Sequence, residues 1–96
     1  MIAAQHCMTS ALQLLLRDQP LSEGKVALAW SAAVGHNVDR VTRVSLDQNG
    51  ILAVYAENRN WAREVGRSAP LIVTRLNQLL GSATVTRIKV TPHYQR

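Results

Sequence analysis

Thr42-Arg43-Val44-Ser45-Leu46-Asp47-Gln48-Asn49-Gly50-Ile51-Leu52-Ala53-Val54-Tyr55-Ala56-Glu57 is the stretch on which the fold turns. Successive side chains of a strand point to opposite faces, so a strand with one buried face alternates in polarity with a period of two. Thr42, Val44 and Leu46 alternate here with Arg43, Ser45 and Asp47, and Leu52, Val54 and Ala56 alternate with Ala53, Tyr55 and Glu57. Between the two runs stands Asn49-Gly50, a pair that tolerates the positive φ angles of a tight hairpin turn. The stretch predicts a β-hairpin with one face turned to a core.

Downstream the period changes to that of a helix. Asn58 or Asn60 can cap it, and Trp61, Val65, Ala69, Ile72, Leu76 and Leu79 fall within roughly 80° of arc at 100° per residue. Leu80-Gly81 supplies its end. Pro70 interrupts the pattern, because its ring would press on the carbonyl of Gly66. A kink or two short helices is expected. Beyond Gly81-Ser82, Thr86, Ile88 and Val90 alternate with Val85, Arg87 and Lys89, which predicts a third strand ending at Pro92.

Upstream, Ser22 can cap a helix with Glu23 in its first turn, and Val26, Trp30, Ala33, Val34 and Val38 recur at three- and four-residue steps. A shorter helix over about Thr9 to Arg17, with Ala11, Leu12, Leu15 and Leu16 at helical spacing, stops at Asp18-Gln19-Pro20. The predicted class is α+β, in the order α-α-β-β-α(α)-β, with a three-stranded sheet and helices packed on one face. The expected core is Val26, Trp30, Val34, Val44, Leu46, Leu52, Val54, Val65, Ile72, Leu76, Ile88 and Val90.

A chain of 96 residues barely buries enough surface for one core, so one domain over 1–96 is expected, with short flexible ends at about 1–8 and 92–96. At 47% hydrophobic and 18% charged residues, disorder is not expected. The longest apolar run, Ile51 to Ala56, is far below the roughly 20 residues needed to cross a bilayer. No basic region precedes the N-terminal apolar stretch, so it does not read as a signal peptide. A lone cysteine, Cys7, cannot form an intrachain disulfide and fits a reducing cytoplasm.

The net charge of +5 is unevenly distributed. Residues 1–58 are close to neutral, whereas Arg59, Arg63, Arg67, Arg75, Arg87, Lys89 and Arg96 face only one acid, Glu64, in the remainder. Arg59, Arg63 and Arg67 step by four, drifting about 40° each time, on the helix face opposite Trp61 and Val65, with no acid expected among them. The alternative for this stripe is a plain solvated helix surface, although such a face usually mixes both signs. A face of arginines alone suits phosphate oxygens, which the guanidinium fork engages bidentately. Arg87 and Lys89 leave the third strand on the side away from the core, the same side that Arg43, Ser45 and Tyr55 take on the hairpin. Tyr55 there either packs half-buried with its hydroxyl in water or stacks on a base.

Both tryptophans lie on apolar stripes. Trp30, with apolar neighbours on both sides, reads as core. Trp61 sits in the first turn of its helix beside Arg59 and Asn60, where an exposed indole can anchor a protein partner. Catalysis has little support: His6, His36 and His93 are dispersed, the acids do not pair, and no nucleophile, base and orienter stand together. His6-Cys7 does not make a zinc site, and no two glycines lie close enough for a phosphate loop. No enzyme and no cofactor are expected.

Trp30-x-x-x-Val34-Gly35, Asn49-Gly50-x-Leu52-x-Val54, Trp61-Ala62-x-Glu64-Val65 and Leu76-Asn77-x-x-Leu80-Gly81, followed by a strand through Ile88, together resemble the DciA family of bacterial replicative helicase operators. The resemblance covers about Leu12 to Val90. It implies a KH-like domain of the α-β-β-α-α-β kind, acting in DNA replication. Members of that family bind the DnaB-type helicase, assist its placement on single-stranded DNA, bind DNA themselves and are not ATPases. Carried to this chain, Arg59, Arg63, Arg67, Arg87 and Lys89 would meet nucleic-acid phosphates and Trp61 would meet the helicase.

The chain departs from RNA-binding KH domains at the helix junction, where Gly66-Arg67-Ser68-Ala69 has one glycine in place of the two of a Gly-x-x-Gly clamp. Any nucleic-acid contact is therefore expected on the arginine stripe. Only six residues follow Val90, against the long basic extension of many relatives, so the expectation is either a weaker affinity for DNA or a chain that is a piece of a longer protein. The single cysteine also excludes the zinc ribbon described in some of them. A general single-stranded DNA or RNA module without a helicase partner is the alternative. An edge strand of a three-stranded sheet can also pair with a copy of itself, which would give self-association.

Overall fold

A computed structural model describes residues 20–92. The helix expected over about 9–17, together with His6, Cys7 and His93, lies outside the described residues. Seven elements follow in the order α1 (Glu23–Val34), α2 (His36–Asp39), β1 (Thr42–Leu46), β2 (Ile51–Ala56), α3 (Arg59–Arg67), α4 (Ala69–Leu80) and β3 (Arg87–Pro92). The class is α+β, with a three-stranded mixed sheet and the helices on one side of it. The strands lie in the order β1-β2-β3, antiparallel between β1 and β2 and parallel between β2 and β3. This architecture is consistent with the expected KH-like fold. Among the described residues, no helix is long and apolar enough to cross a membrane.

Local chemistry accounts for the element ends. The Ser22 side chain accepts the Lys25 N–H (3.1 Å), satisfying one of the free donors at the start of α1, and Glu23 in the first turn faces the positive end of the helix. Gly35, at φ 87°, ends α1. The sequence periodicity running on to Val38 is therefore split: Gly35 turns the chain into the single turn of α2. The Asn58 side chain accepts the Trp61 N–H (3.0 Å) and caps α3. The expected interruption near Pro70 is a break into two helices at Ser68, which places Pro70 in the first turn of α4, where a missing N–H costs no hydrogen bond.

The hairpin forms in the register Thr42↔Ala56, Val44↔Val54, Leu46↔Leu52. Its turn differs from a tight Asn-Gly one. Gly50 takes a positive φ of 81° but Asn49 does not, and the connection runs over Asp47 to Gly50. The Asp47 carboxylate organises it by accepting the N–H groups of Asn49 (2.8 Å) and Ile51 (3.0 Å). The Gly50 carbonyl in turn accepts the Thr86 N–H (2.7 Å), so the hairpin tip fixes the chain entering β3.

The core lies between the sheet and α1, α3 and α4. Trp30, Leu52, Leu76, Val54, Val65 and Val85 are its largest fully buried side chains. Of the expected core, Val34, Val44, Leu46, Ile88 and Val90 pack against it half-buried, and the others are buried. Two residues before β3 reverse the expectation. Val85 is 1% exposed, whereas Thr86 is exposed, because β3 begins only at Arg87 and the alternation does not reach back past it. Asn77 holds that loop from α4: its side chain accepts the Val85 N–H (2.8 Å) and donates to the Val85 carbonyl (2.9 Å).

Candidate functional site

Two surfaces carry the residues singled out in the sequence. The first is the outer side of α3. Arg59, Arg63 and Arg67 are all exposed, and Val65 on the opposite side is buried. At 1.5 Å per residue the three arginines span about 12 Å of helix. Arg59 and Arg63 have no hydrogen-bond or ion-pair partner among the described residues. Arg67 does. Its guanidinium lies 3.8 Å from the Glu64 carboxylate one turn back, so the expectation of a stripe free of acid fails at its third member. Both side chains are well exposed, and such a pair contributes little to stability.

The second surface is the side of the sheet away from the helices. Register places Arg43, Tyr55 and Thr91 in one row across the three strands, Ser45, Ala53 and Lys89 in the next, and Ile51 with Arg87 in a third. Arg87 and Lys89 are exposed there, as the alternation in β3 predicts. The five expected phosphate contacts thus form two groups in different layers, three on α3 and two on the open sheet face. α3 packs over β3 and β2, so the groups are neighbours around the β3 edge and do not make one surface.

Arg75, a further member of the C-terminal cation excess, serves the fold: its Nη1 donates to the Ala33 carbonyl (3.1 Å) near the end of α1. Its position on α4 beside the exposed Leu71 also makes it a wall of a small groove. That groove runs between α1 and α2 on one side and α3 and α4 on the other, and is lined by Val34, Val38, Trp61, Leu71, Ile72 and Arg75. Trp61 is half-buried in it, with Glu64 at its rim, and Leu71 is 53% exposed. Leu71 was not singled out by the sequence, because its helical phase sits off the stripe of Ile72, Leu76 and Leu79. An exposed leucine one residue from a buried isoleucine was the available signal.

Trp30, by contrast, is 1% exposed, and its indole Nε1–H donates to Thr42 Oγ1 (2.9 Å). The reading of Trp30 as core holds. A second, wider groove between the start of α1 and β1 is lined by Leu21, Ser22, Glu23, Val26, Val44 and Leu46 among others. Among the described residues, no three His, Cys, Asp or Glu side chains come together in a way that could hold a metal ion.

The family model described as DciA, Dna[CI] antecedent, matches residues 4–90. The chain belongs to the DciA family. Curated relatives carry the name UPF0232 protein: one from Mycobacterium bovis (strain BCG / Tokyo 172) is 30% identical over 71 residues, and one from Mycolicibacterium paratuberculosis (strain K-10) is 31% identical over 72. These alignments cover 74% of this chain but only 38% and 39% of the two relatives, so the chain spans about two fifths of their length. No solved structure gives a significant match.

Set against the geometry, the DciA fragments divide into two kinds. Trp30, Gly35, Gly50, Asn77 and Gly81 are absorbed by the fold, as core, helix ends, turn and loop clamp. Trp61 and Glu64 are not absorbed. They stand half-buried and exposed, respectively, beside the Leu71 groove.

Proposed function

We propose that this DciA-family chain is a non-enzymatic adaptor in DNA replication, which binds a DnaB-type replicative helicase and assists its loading on single-stranded DNA, with nucleic-acid affinity of its own. Family membership supports the class of function. The observation that carries the partner assignment is the Trp61 groove, in which a half-buried indole and an exposed leucine leave apolar surface uncovered among the described residues. Trp and Arg dominate interface hot spots because they desolvate a large area while keeping a polar handle. Trp61, with Leu71 beside it, is the anchor for the helicase. Arg59, Arg63, Arg67, Arg87 and Lys89 meet phosphate oxygens.

The test is size-exclusion chromatography with the cognate helicase, together with helicase loading on single-stranded DNA. Co-elution and stimulated loading are expected. Leu71→Glu, on a side chain 53% exposed, should weaken the complex more than about tenfold while leaving the melting temperature unchanged. Neither co-elution nor a change in loading by the unmodified chain would end the adaptor reading. The open sheet face favours a second reading, a single-stranded nucleic-acid module with no helicase partner, which predicts DNA binding without co-elution.

A further inference from the structure

We infer that the open face of the sheet is a binding platform for single-stranded DNA, with Tyr55 stacking on a base and Arg43, Lys89 and Arg87 holding the backbone around it. This rests on the nucleic-acid affinity proposed above and names the surface that provides it.

Among the described residues, all helices lie on one side of the sheet, and no element covers the other. Eight residues of the three strands face that side: Arg43 and Ser45 from β1, Ile51, Ala53 and Tyr55 from β2, and Arg87, Lys89 and Thr91 from β3. Three of the eight are cations and none is an acid. Asp47 and Glu57 share the parity of this face, but each lies just beyond a strand end, and Asp47 already spends its carboxylate on the turn. Among the described residues, the face therefore carries its positive charge on the two outer strands, on either side of an uncharged central strand, and negative charge at two corners.

Tyr55 gives this charge a partner chemistry. It is 39% exposed on the central strand, in register with Arg43 on one side and Thr91 on the other. Strand spacing of about 4.8 Å and a rise of about 3.3 Å per residue put Lys89 on the diagonal from Tyr55, roughly 8 Å away between Cα atoms, and Arg87 one row further. The face's neighbours along that diagonal, Ala53 on β2 and Thr91 on β3, are small, so no bulky side chain stands between the tyrosine and Lys89. An aromatic ring on the central strand, flanked by cations on both outer strands, suits an extended strand with unpaired bases, since every base has a face to stack on. A duplex keeps its bases in its own stack and can use only the cations.

The experiment is fluorescence anisotropy of a labelled oligo-dT with the whole chain at low salt, alongside a duplex of equal length and an oligo-rU. Oligo-dT is expected to bind more tightly than the duplex. Tyr55→Leu should reduce that affinity about tenfold, the scale of one lost base stack, while Tyr55→Phe retains it. Lys89→Ala should weaken both DNA forms by similar factors. Irradiation of a bromodeoxyuridine oligonucleotide should crosslink to the peptide containing Tyr55. Equal binding of duplex and oligo-dT, unchanged affinity in Tyr55→Leu, or binding of oligo-rU alone overturns the proposal. If Arg59→Ala/Arg63→Ala/Arg67→Ala abolishes binding and Tyr55→Leu does not, the platform is wrong and the nucleic-acid reading stands. If the unmodified chain binds no oligonucleotide, both fall.

Discussion

The contact between Trp30 and Thr42 shows how one side chain can serve two polar needs in a small core. The indole N–H donates to Thr42 Oγ1 (2.9 Å), and the same hydroxyl donates to the Val38 carbonyl (2.8 Å). The bond joins the middle of α1 to the first residue of β1. Thr42→Val keeps the shape but removes the acceptor, leaving a buried indole N–H without a partner. A loss of about 1–3 kcal/mol in denaturant unfolding is expected, and Trp30→Phe in the Thr42→Val background should add less than it does alone. Asn77 poses the same kind of test at the other end of the core. Asn77→Ala strips both hydrogen bonds from the Val85 backbone, which is buried, and should cost about 2 kcal/mol by the same measurement. A cost near zero at either site would mean that water replaces the side chain.

Among the elements, α3 and α4 were legible as one apolar stripe, and Pro70 announced the interruption. What the stripe could not give was the location of the break at Ser68, since a proline permits a helix to start one or two residues before it. The hairpin was legible from its alternation, but its turn was not. The side chain of Asp47 selects the longer connection, and its three-dimensional role has no period to read. The β3 pattern misled at Val85 and Thr86 because alternation is a property of paired backbone, and pairing starts at Arg87. The two glycines of these regions separate conformational need from sequence pattern. A Cβ on Gly50 would lie 3.0 Å from the Thr84 carbonyl oxygen at a φ of 81°, so Gly50→Ala should lose at least about 2 kcal/mol. Gly66 lies inside α3, and a Cβ there meets nothing within 4 Å. Gly66→Ala should gain roughly 0.5–1 kcal/mol, by thermal or urea unfolding, and should leave DNA affinity unchanged. A loss of affinity would restore a clamp role to a junction that Ser68 alone forms.

For the whole molecule, the charge asymmetry of the sequence becomes a distribution over two layers. One C-terminal cation, Arg75, is committed to the end of α1, and another, Arg67, lies beside Glu64, which leaves Arg59 and Arg63 on α3 and Arg87 and Lys89 on the sheet without partners among the described residues. That count sets an expectation for binding. If about four phosphates are neutralised, log affinity for single-stranded DNA should fall against log salt with a slope near −2.8. The separation of the layers sharpens it, because the slope then measures whether one strand reaches both. Arg59→Ala/Arg63→Ala/Arg67→Ala should flatten the slope, by about 0.7 for each arginine that held a phosphate, if α3 and the sheet share the load. An unchanged slope would confine the strand to the sheet face, and a slope of zero would confine it to α3. Circular dichroism of the triple variant checks that the helix survives, as expected for side chains on its solvent face.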